Sequence, residues 1–316
     1  MSRIRAFSPG GIGNLGPGLD ILGCVVTGPG DAVEAERRAE PGIVVADPGH
    51  PELPADPERH TAGLAARAVL RLAGAEDAGL VLRVEKGLPL SGGQGGSAAT
   101  AAAAAVAVNT LLGSPLGAEG LILACLAAEE KVSGRHADNL APMILGGVTL
   151  VRSLEPLDVV RLPVPAGLFI VLAHPAYQLR TAEGRSVLPR TLDRGLALQQ
   201  AANIAAMTAA FASGDLALLG RALDDRIAEP ARAPLLPGFR EAKAAALGAG
   251  ALGCSISGSG PTAFALVGDE GTAAAVASAM EAAYRAAGHD ARARICTIDP
   301  EGARIVAPAA AREGRR

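Results

Sequence analysis

Between residues 92 and 96 four of five positions are glycine, and Ser97 and an alanine-rich run follow without a break. Glycine density of this kind lets the backbone turn successive N–H groups toward an anion. A helix that begins straight afterwards adds the positive end of its dipole. The lysine that completes a G-x-x-x-x-G-K-[ST] loop is missing. The chemistry on offer is therefore a backbone cradle for a polyphosphate, with the Ser97 hydroxyl near the helix cap and able to ligate Mg²⁺. A helix cap alone does not need glycine at four positions in five, so phosphate binding is the expectation.

A second glycine run, Gly11-Ile12-Gly13-Asn14-Leu15-Gly16, satisfies G-x-G-x-x-G directly after a strand-like segment. A dinucleotide turn must run into a helix, and here Pro17 and Gly18 follow. A glycine-rich strand connection fits better, but it leaves Asn14 and Asp20 without a task. The loop at 92–96 also passes a loose version of that pattern at Gly93, Gly95 and Ala98. Its helix precedes another helix rather than a strand ending in an acidic residue, so the ribose anchor of a dinucleotide site is absent.

These residues need a scaffold of mixed elements. The patterns predict strands in RIRAF, ILGCVVT, AVEAERR and LVLRVEK, a helix over 61–74, a helix over 97–112 and another over 118–132. SGRHADNLAP reads as a polar loop and GGVTLVRS as a strand, and the Pro-rich EPLDVVRLPVPAG marks a junction near residue 160. Beyond it come a strand (LFIVLAHP), helices over 190–213 and 216–227, and a loop over 229–239. A helix over 240–247, the strands GCSIS and AFALVG around GSGPT, a helix over 272–287 and the strand ARARICTI complete the order. Strands and helices mixed in this way predict an α+β chain of two domains, 1–160 and 161–316, with a disordered tail in the last few residues.

Composition narrows the function. Apolar residues make up 49% of the 316, enough for a sizeable core, while aromatics are 2% and the net charge is −3 with both signs interspersed. No basic stripe with interleaved aromatics supports nucleic-acid binding. The longest uncharged run, residues 87–118, is broken by Gly, Pro, Gln and Asn and reads as a buried helix rather than a membrane span. Arg3 and Arg5 have no apolar stretch of a signal peptide behind them. The four cysteines are dispersed in apolar runs, without the spacing of a zinc site, as expected of a cytoplasmic protein.

Three separated stretches resemble the GHMP kinases. PGGIGNLGPGLDILG at 9–23 is similar to their first motif, in the form found in homoserine kinases. PLSGGQGGSAA at 89–99 resembles their ATP loop, and GALGCSISGSGPT at 250–262 their third glycine motif. HADNLAP at 136–142, TAEGR at 181–185 and EPARAPLLPGF at 229–239 resemble patterns specific to the homoserine kinase branch. The resemblance implies an N-terminal, ribosomal-protein-S5-like α/β domain and a C-terminal ferredoxin-like domain, with ATP and substrate in the cleft between them. It also implies a homodimer. Some positions depart from the pattern: Gln94 stands where Leu is usual, Gly96 where a serine is, and Leu19 where Phe is. One residue is missing between Ser133 and His136.

What the resemblance implies for the chemistry can be stated residue by residue. Pro89, Leu90, Ser91, Gly92, Gly93, Gln94, Gly95, Gly96, Ser97, Ala98 and Ala99 would hold ATP. Mg²⁺ would sit on Ser97 and a carboxylate of the following helix, with Glu129 and Glu130 both open as that ligand. The acceptor, L-homoserine, is a zwitterion with a reactive hydroxyl. Asp20 suits its ammonium, and the planar forks of Arg185 and Arg232 suit its carboxylate. Asn14, His136, Asp138, Asn139 and Thr181 would surround the hydroxyl and the γ-phosphate. Asn139 can orient the hydroxyl and Asp138 is the nearest candidate base, although the proton can also leave through the γ-phosphate. A kinase of another small alcohol, mevalonate-like or a sugar, and a non-catalytic nucleotide-binding relative are the alternatives.

Overall fold

The computed structural model describes residues 3–307. The expected disordered tail, the last few residues, lies outside the described residues. The first half runs β1 (Arg3–Gly13), β2 (Leu22–Arg38), β3 (Gly42–Asp47), α1 (Thr61–Leu72), β4 (Gly79–Glu85), α2 (Gly96–Leu111), α3 (Ala118–Val132), α4 (Leu140–Leu145), β5 (Val148–Leu154) and β6 (Leu157–Leu162). The second half runs β7 (Phe169–Pro175), α5 (Thr181–Ser186), α6 (Arg194–Ser213), α7 (Leu216–Ala222), α8 (Ala228–Arg232), α9 (Phe239–Gly248), β8 (Gly253–Ile256), β9 (Ala263–Val267), α10 (Glu270–Ala286), β10 (Ala291–Cys296) and β11 (Arg304–Val306).

Two sheets result. The first has seven strands in the order β11-β1-β2-β4-β3, with β5 pairing both β2 and β6. The second is four-stranded, β10-β7-β9-β8, and antiparallel throughout. The α+β class is therefore as expected. The expected boundary at 160 falls inside β6, which pairs with β5 in the first sheet, so the change of sheet lies between 162 and 169. After the second sheet the chain returns, and β11 pairs with β1.

β2 is the longest strand because two expected strands, ILGCVVT and AVEAERR, continue through the Gly28-Pro29-Gly30 breaker. Its upper part pairs with β4, and its start, Leu22 to Cys24, pairs with β5. Helix α2 is apolar on every face, and buried on nearly all of them, so it is a core helix rather than an amphipathic one. Its alanines let β1, β2, α1 and α3 approach closely, and a leucine at Ala103 would overpack this core by about 1–3 kcal/mol. Three expectations are corrected. The helix expected over 216–227 stops at Ala222, the loop over 229–239 contains α8, and the loop after His136 turns into α4. Short helices without a full apolar period carry little sequence signal. Among the described residues no helix is long and apolar enough to cross a membrane.

Candidate functional site

A cleft of about 530 Å³ opens where the two sheets meet, lined by α2's N-terminus, the loop before it, the α3–α4 connection, α5 and the 258–259 turn. The phosphate loop forms its floor. Ser91, Gly93 and Gly95 have φ of 50°, 74° and 69°, left-handed conformations that favour glycine at the last two. The loop's carbonyls are tied back: Gly92 O accepts from Thr262 Oγ1 at 2.5 Å, Gly93 O from Ser257 Oγ at 2.6 Å and Gln94 O from the Gly11 N–H at 3.1 Å. In a trans peptide the next N–H points opposite to its carbonyl, so each tie turns an amide the other way. Among the described residues, no protein acceptor takes the amides of residues 92 to 98. Free amides at a helix start are what a phosphate needs.

The loop rests on a buried ion pair. Lys86, directly after β4, bonds Asp31 of β2 and donates to Gly96 O and Thr100 Oγ1, each at 3.1 Å. Asp31, 0% exposed, also accepts from the Gly87 and Leu88 amides and from Thr100 Oγ1. Nothing in the local sequence pattern distinguishes Asp31, whereas a lysine between a strand and a glycine loop was a readable signal.

A candidate metal position lies beside the helix start. Ser97 Oγ donates to Glu129 Oε1 at 3.1 Å, and Ser133 Oγ donates to the same oxygen. Glu129 Oε2 is buried with no partner among the described residues. A buried carboxylate oxygen left free beside a hydroxyl suits a hard divalent cation. Of the two glutamates left open by the sequence, Glu130 is exposed and off the cleft lining, so only Glu129 meets Ser97. One helical position rotates the side chain by a large fraction of a turn, and that separates them.

Opposite lie the groups suited to an acceptor. Arg185 of α5 forks onto Asp20, Nη2 to Oδ1 at 2.7 Å and Nη1 to Oδ2 at 3.2 Å, while its buried Nε has no partner among the described residues. Arg232 is buried and holds the Gly184 and Gly258 carbonyls through Nε and Nη1. Asn14, at φ 67°, donates to Gly258 O and accepts from the Asp20 amide. Both oxygens of Asp138 are engaged, Oδ2 by the Asn14 N–H at 2.8 Å and Oδ1 by His136 Nδ1 at 3.1 Å. Burial opposes the charged form of the His136 imidazole. The hydrogen bond and charge of Asp138 outweigh it and hold the group above its ordinary value. Asn139 Oδ1 is buried and unpartnered among the described residues. Gly13 must lack a side chain, since a Cβ there would run into the Asn139 amide.

The structure thus gathers Asn14, Ser97, Glu129, His136, Asp138, Asn139, Thr181, Arg185 and Arg232 on one cleft, with Asp20 at its edge through Arg185. Two members of the expected cradle do not line it. Ala99 is 0% exposed inside the helical core, and the Gln94 side chain turns toward the second sheet. Sequence reasoning missed Lys86, Arg59, His60, Ser133 and Arg180, which do line it. His60 caps α1 with Nδ1 and donates from Nε2 to Pro48 O, a fixed neutral tautomer in keeping with its burial, which lowers its pKa. The metal-like grouping of Asp20, His136 and Asp138 lies within 4.8 Å, but Asp20 is held by Arg185 and Asp138 by Asn14.

With this geometry in hand, comparisons with known proteins agree over most of the chain. Residues 60–147 match the family model of the GHMP kinases N terminal domain, and residues 207–286 that of the GHMP kinases C terminal. A homoserine kinase of Arabidopsis thaliana is 43% identical over 314 residues, covering 96% of this chain and 84% of that protein. One from Chlorobaculum tepidum is 41% identical, covering 90% and 91%. The crystal structure of homoserine kinase from Cytophaga hutchinsonii superposes with a TM-score of 0.93 at 36% identity, covering 97% and 98%.

Proposed function

The chain belongs to the homoserine kinase branch of the GHMP kinases, and we propose on that premise that it transfers the γ-phosphoryl group of ATP to the hydroxyl of L-homoserine. The product is O-phospho-L-homoserine, a step toward threonine. The observation that carries the reading is the Asp20–Arg185 pair with Arg232 beside it. Opposite charges presented side by side, with an Arg185 Nε still unpartnered, match an α-amino acid zwitterion.

In this reading Asp20 takes the ammonium, and Arg185 and Arg232 take the carboxylate. Asn139 Oδ1 accepts from the acceptor hydroxyl and orients it, and Thr181 sits at the mouth of α5 facing the transferring group. The loop amides of residues 92 to 97 neutralise the phosphates, because phosphoryl transfer depends on positioning and charge more than on covalent help. Mg²⁺ held by Ser97 and Glu129 supplies further charge neutralisation when bound. Asp138 accepts from the Asn14 N–H and from His136 Nδ1, which suits a role in fixing those two residues, and in this reading the hydroxyl proton leaves through the phosphate. A homodimer belongs to this reading. The α6 face with Leu198, Ala201, Ala202, Ala205 and Ala209 is exposed and uncharged, as a helix that meets a partner would be.

The test is ADP release from MgATP with L-homoserine, mevalonate, galactose and no acceptor. Turnover with homoserine alone is expected. Preference for an acceptor without an ammonium would discard the zwitterion site, and ATP binding without turnover on any acceptor would make the chain a nucleotide-binding relative.

A further inference from the structure

Gln94 is the single non-glycine residue between 92 and 96, and it stands where the kinase loop usually has an aliphatic side chain. It is 6% exposed and faces away from the cleft. Its Oε1 accepts from Arg294 Nη2 of β10 at 3.2 Å, and its Nε2 donates to Thr262 Oγ1 at 3.4 Å. Thr262 Oγ1 has one proton, which goes to Gly92 O at 2.5 Å, so it can only accept from Gln94 and from His174 Nδ1 at 2.9 Å. Burial holds the His174 imidazole below its ordinary value, which favours the neutral ring with an Nδ1–H donor.

The donors therefore run in one direction, from the Arg294 guanidinium through Gln94 and Thr262 to the Gly92 carbonyl. Among the described residues Arg294 has no carboxylate partner; its other bond is Nη1 to Thr27 O at 2.8 Å. Chains that start at a charge polarise each bond after it. The chain also crosses from the second sheet to the loop of the first half.

Resting on the ATP reading above, we propose that Gln94 and Arg294 are positioning residues for the nucleotide phosphates. Pulling the Gly92 carbonyl toward the second sheet turns the Gly93 amide the opposite way, and Arg294 places a cation behind the loop. Neither residue touches the reacting atoms. A purely structural role would alter stability and all binding together, whereas this one acts on nucleotide affinity.

The experiment is titration calorimetry with MgATP, without acceptor, on the wild type, Arg294→Met, Arg294→Lys, Gln94→Leu and Gln94→Leu/Arg294→Met, with melting temperatures alongside. Arg294→Met is expected to weaken MgATP binding about tenfold, as loss of a hydrogen bond to a charged group does, and to lower the melting temperature by no more than Gln94→Leu/Arg294→Met does, although that double variant loses less affinity. Arg294→Lys should recover part of the lost affinity. The double variant should bind better than Arg294→Met alone, because leucine removes the amide left unsatisfied. Unchanged affinity in Arg294→Met, a loss that only tracks melting temperature, or strict additivity would overturn the proposal. Failure of the wild type to bind MgATP would overturn the kinase reading with it, whereas binding by the wild type and Arg294→Met alike sinks this proposal alone.

Discussion

Two ion pairs flank the cleft and differ in what surrounds them. Asp31–Lys86 lies behind the phosphate loop, with side chains 0% and 7% exposed and every oxygen of Asp31 taken. Asp20–Arg185 lies at the acceptor side, with side chains 39% and 31% exposed and a guanidinium nitrogen left over. A buried pair whose partners are all within the protein fixes a shape. A half-exposed pair with an unmet donor can open to receive a ligand of the same charge pattern. The same chemistry thus serves as foundation in one place and as recognition in the other, and surroundings decide which.

The largest effect should come from breaking the buried pair. Asp31→Ala leaves Lys86 charged in the interior and is expected to cost about 3–5 kcal/mol of stability, read from a urea or thermal melt. A loss below about 1 kcal/mol would end its role as foundation. Asp20→Asn and Arg185→Met should do the reverse. Each is expected to lower kcat/KM for homoserine by about 2–4 kcal/mol while the melting temperature stays close to wild type. A melting shift as large as that of Asp31→Ala would erase the contrast.

A smaller effect separates the two glutamates of α3. Glu129→Gln is expected to lower activity about 10- to 100-fold and to raise the Mg²⁺ needed for half-maximal rate, while Glu130→Gln leaves both unchanged. Equal loss in both would remove Glu129 from the metal. The smallest effect is that of His136. Its folded pKa lies above the ordinary value of 6.5, so its contribution to stability is complete below that pH and is lost as pH rises through the folded value. The stability difference between wild type and His136→Asn should therefore shrink as the buffer moves from acid to alkaline. Asp138→Asn should flatten that dependence, and a difference that grows with pH contradicts the pairing.

The legibility of the two regions differed for a physical reason. The phosphate loop works through backbone amides, and four glycines in five residues followed by alanines announce that in one short stretch. The acceptor groups come from 14–20, 136–139, 181–185 and 232, and no local pattern brings these together. Only motif resemblance did so, and it left Glu129 and Glu130 unresolved because one residue is missing before His136. Gln94 and Ala99 entered the expected cradle by their place in a motif; the Gln94 side chain turns away from the cleft and Ala99 lies within α2, so neither side chain lines it. Asp31 was invisible because a single aspartate in a β2 run of apolar and glycine residues reads as turn chemistry. α4 and α8 were read as loops, and α5 was given no element, because five or six residues cannot show a helical period.

The most direct test is kcat/KM for L-homoserine and for 4-hydroxybutanoate, which lacks the ammonium, in wild type and Asp20→Asn with MgATP. The account predicts that the wild type strongly prefers homoserine and that Asp20→Asn loses most of this preference while its melting temperature holds. A preference that survives the substitution, or a wild type indifferent to the ammonium, would contradict the claim that the Asp20–Arg185 pair reads the zwitterion.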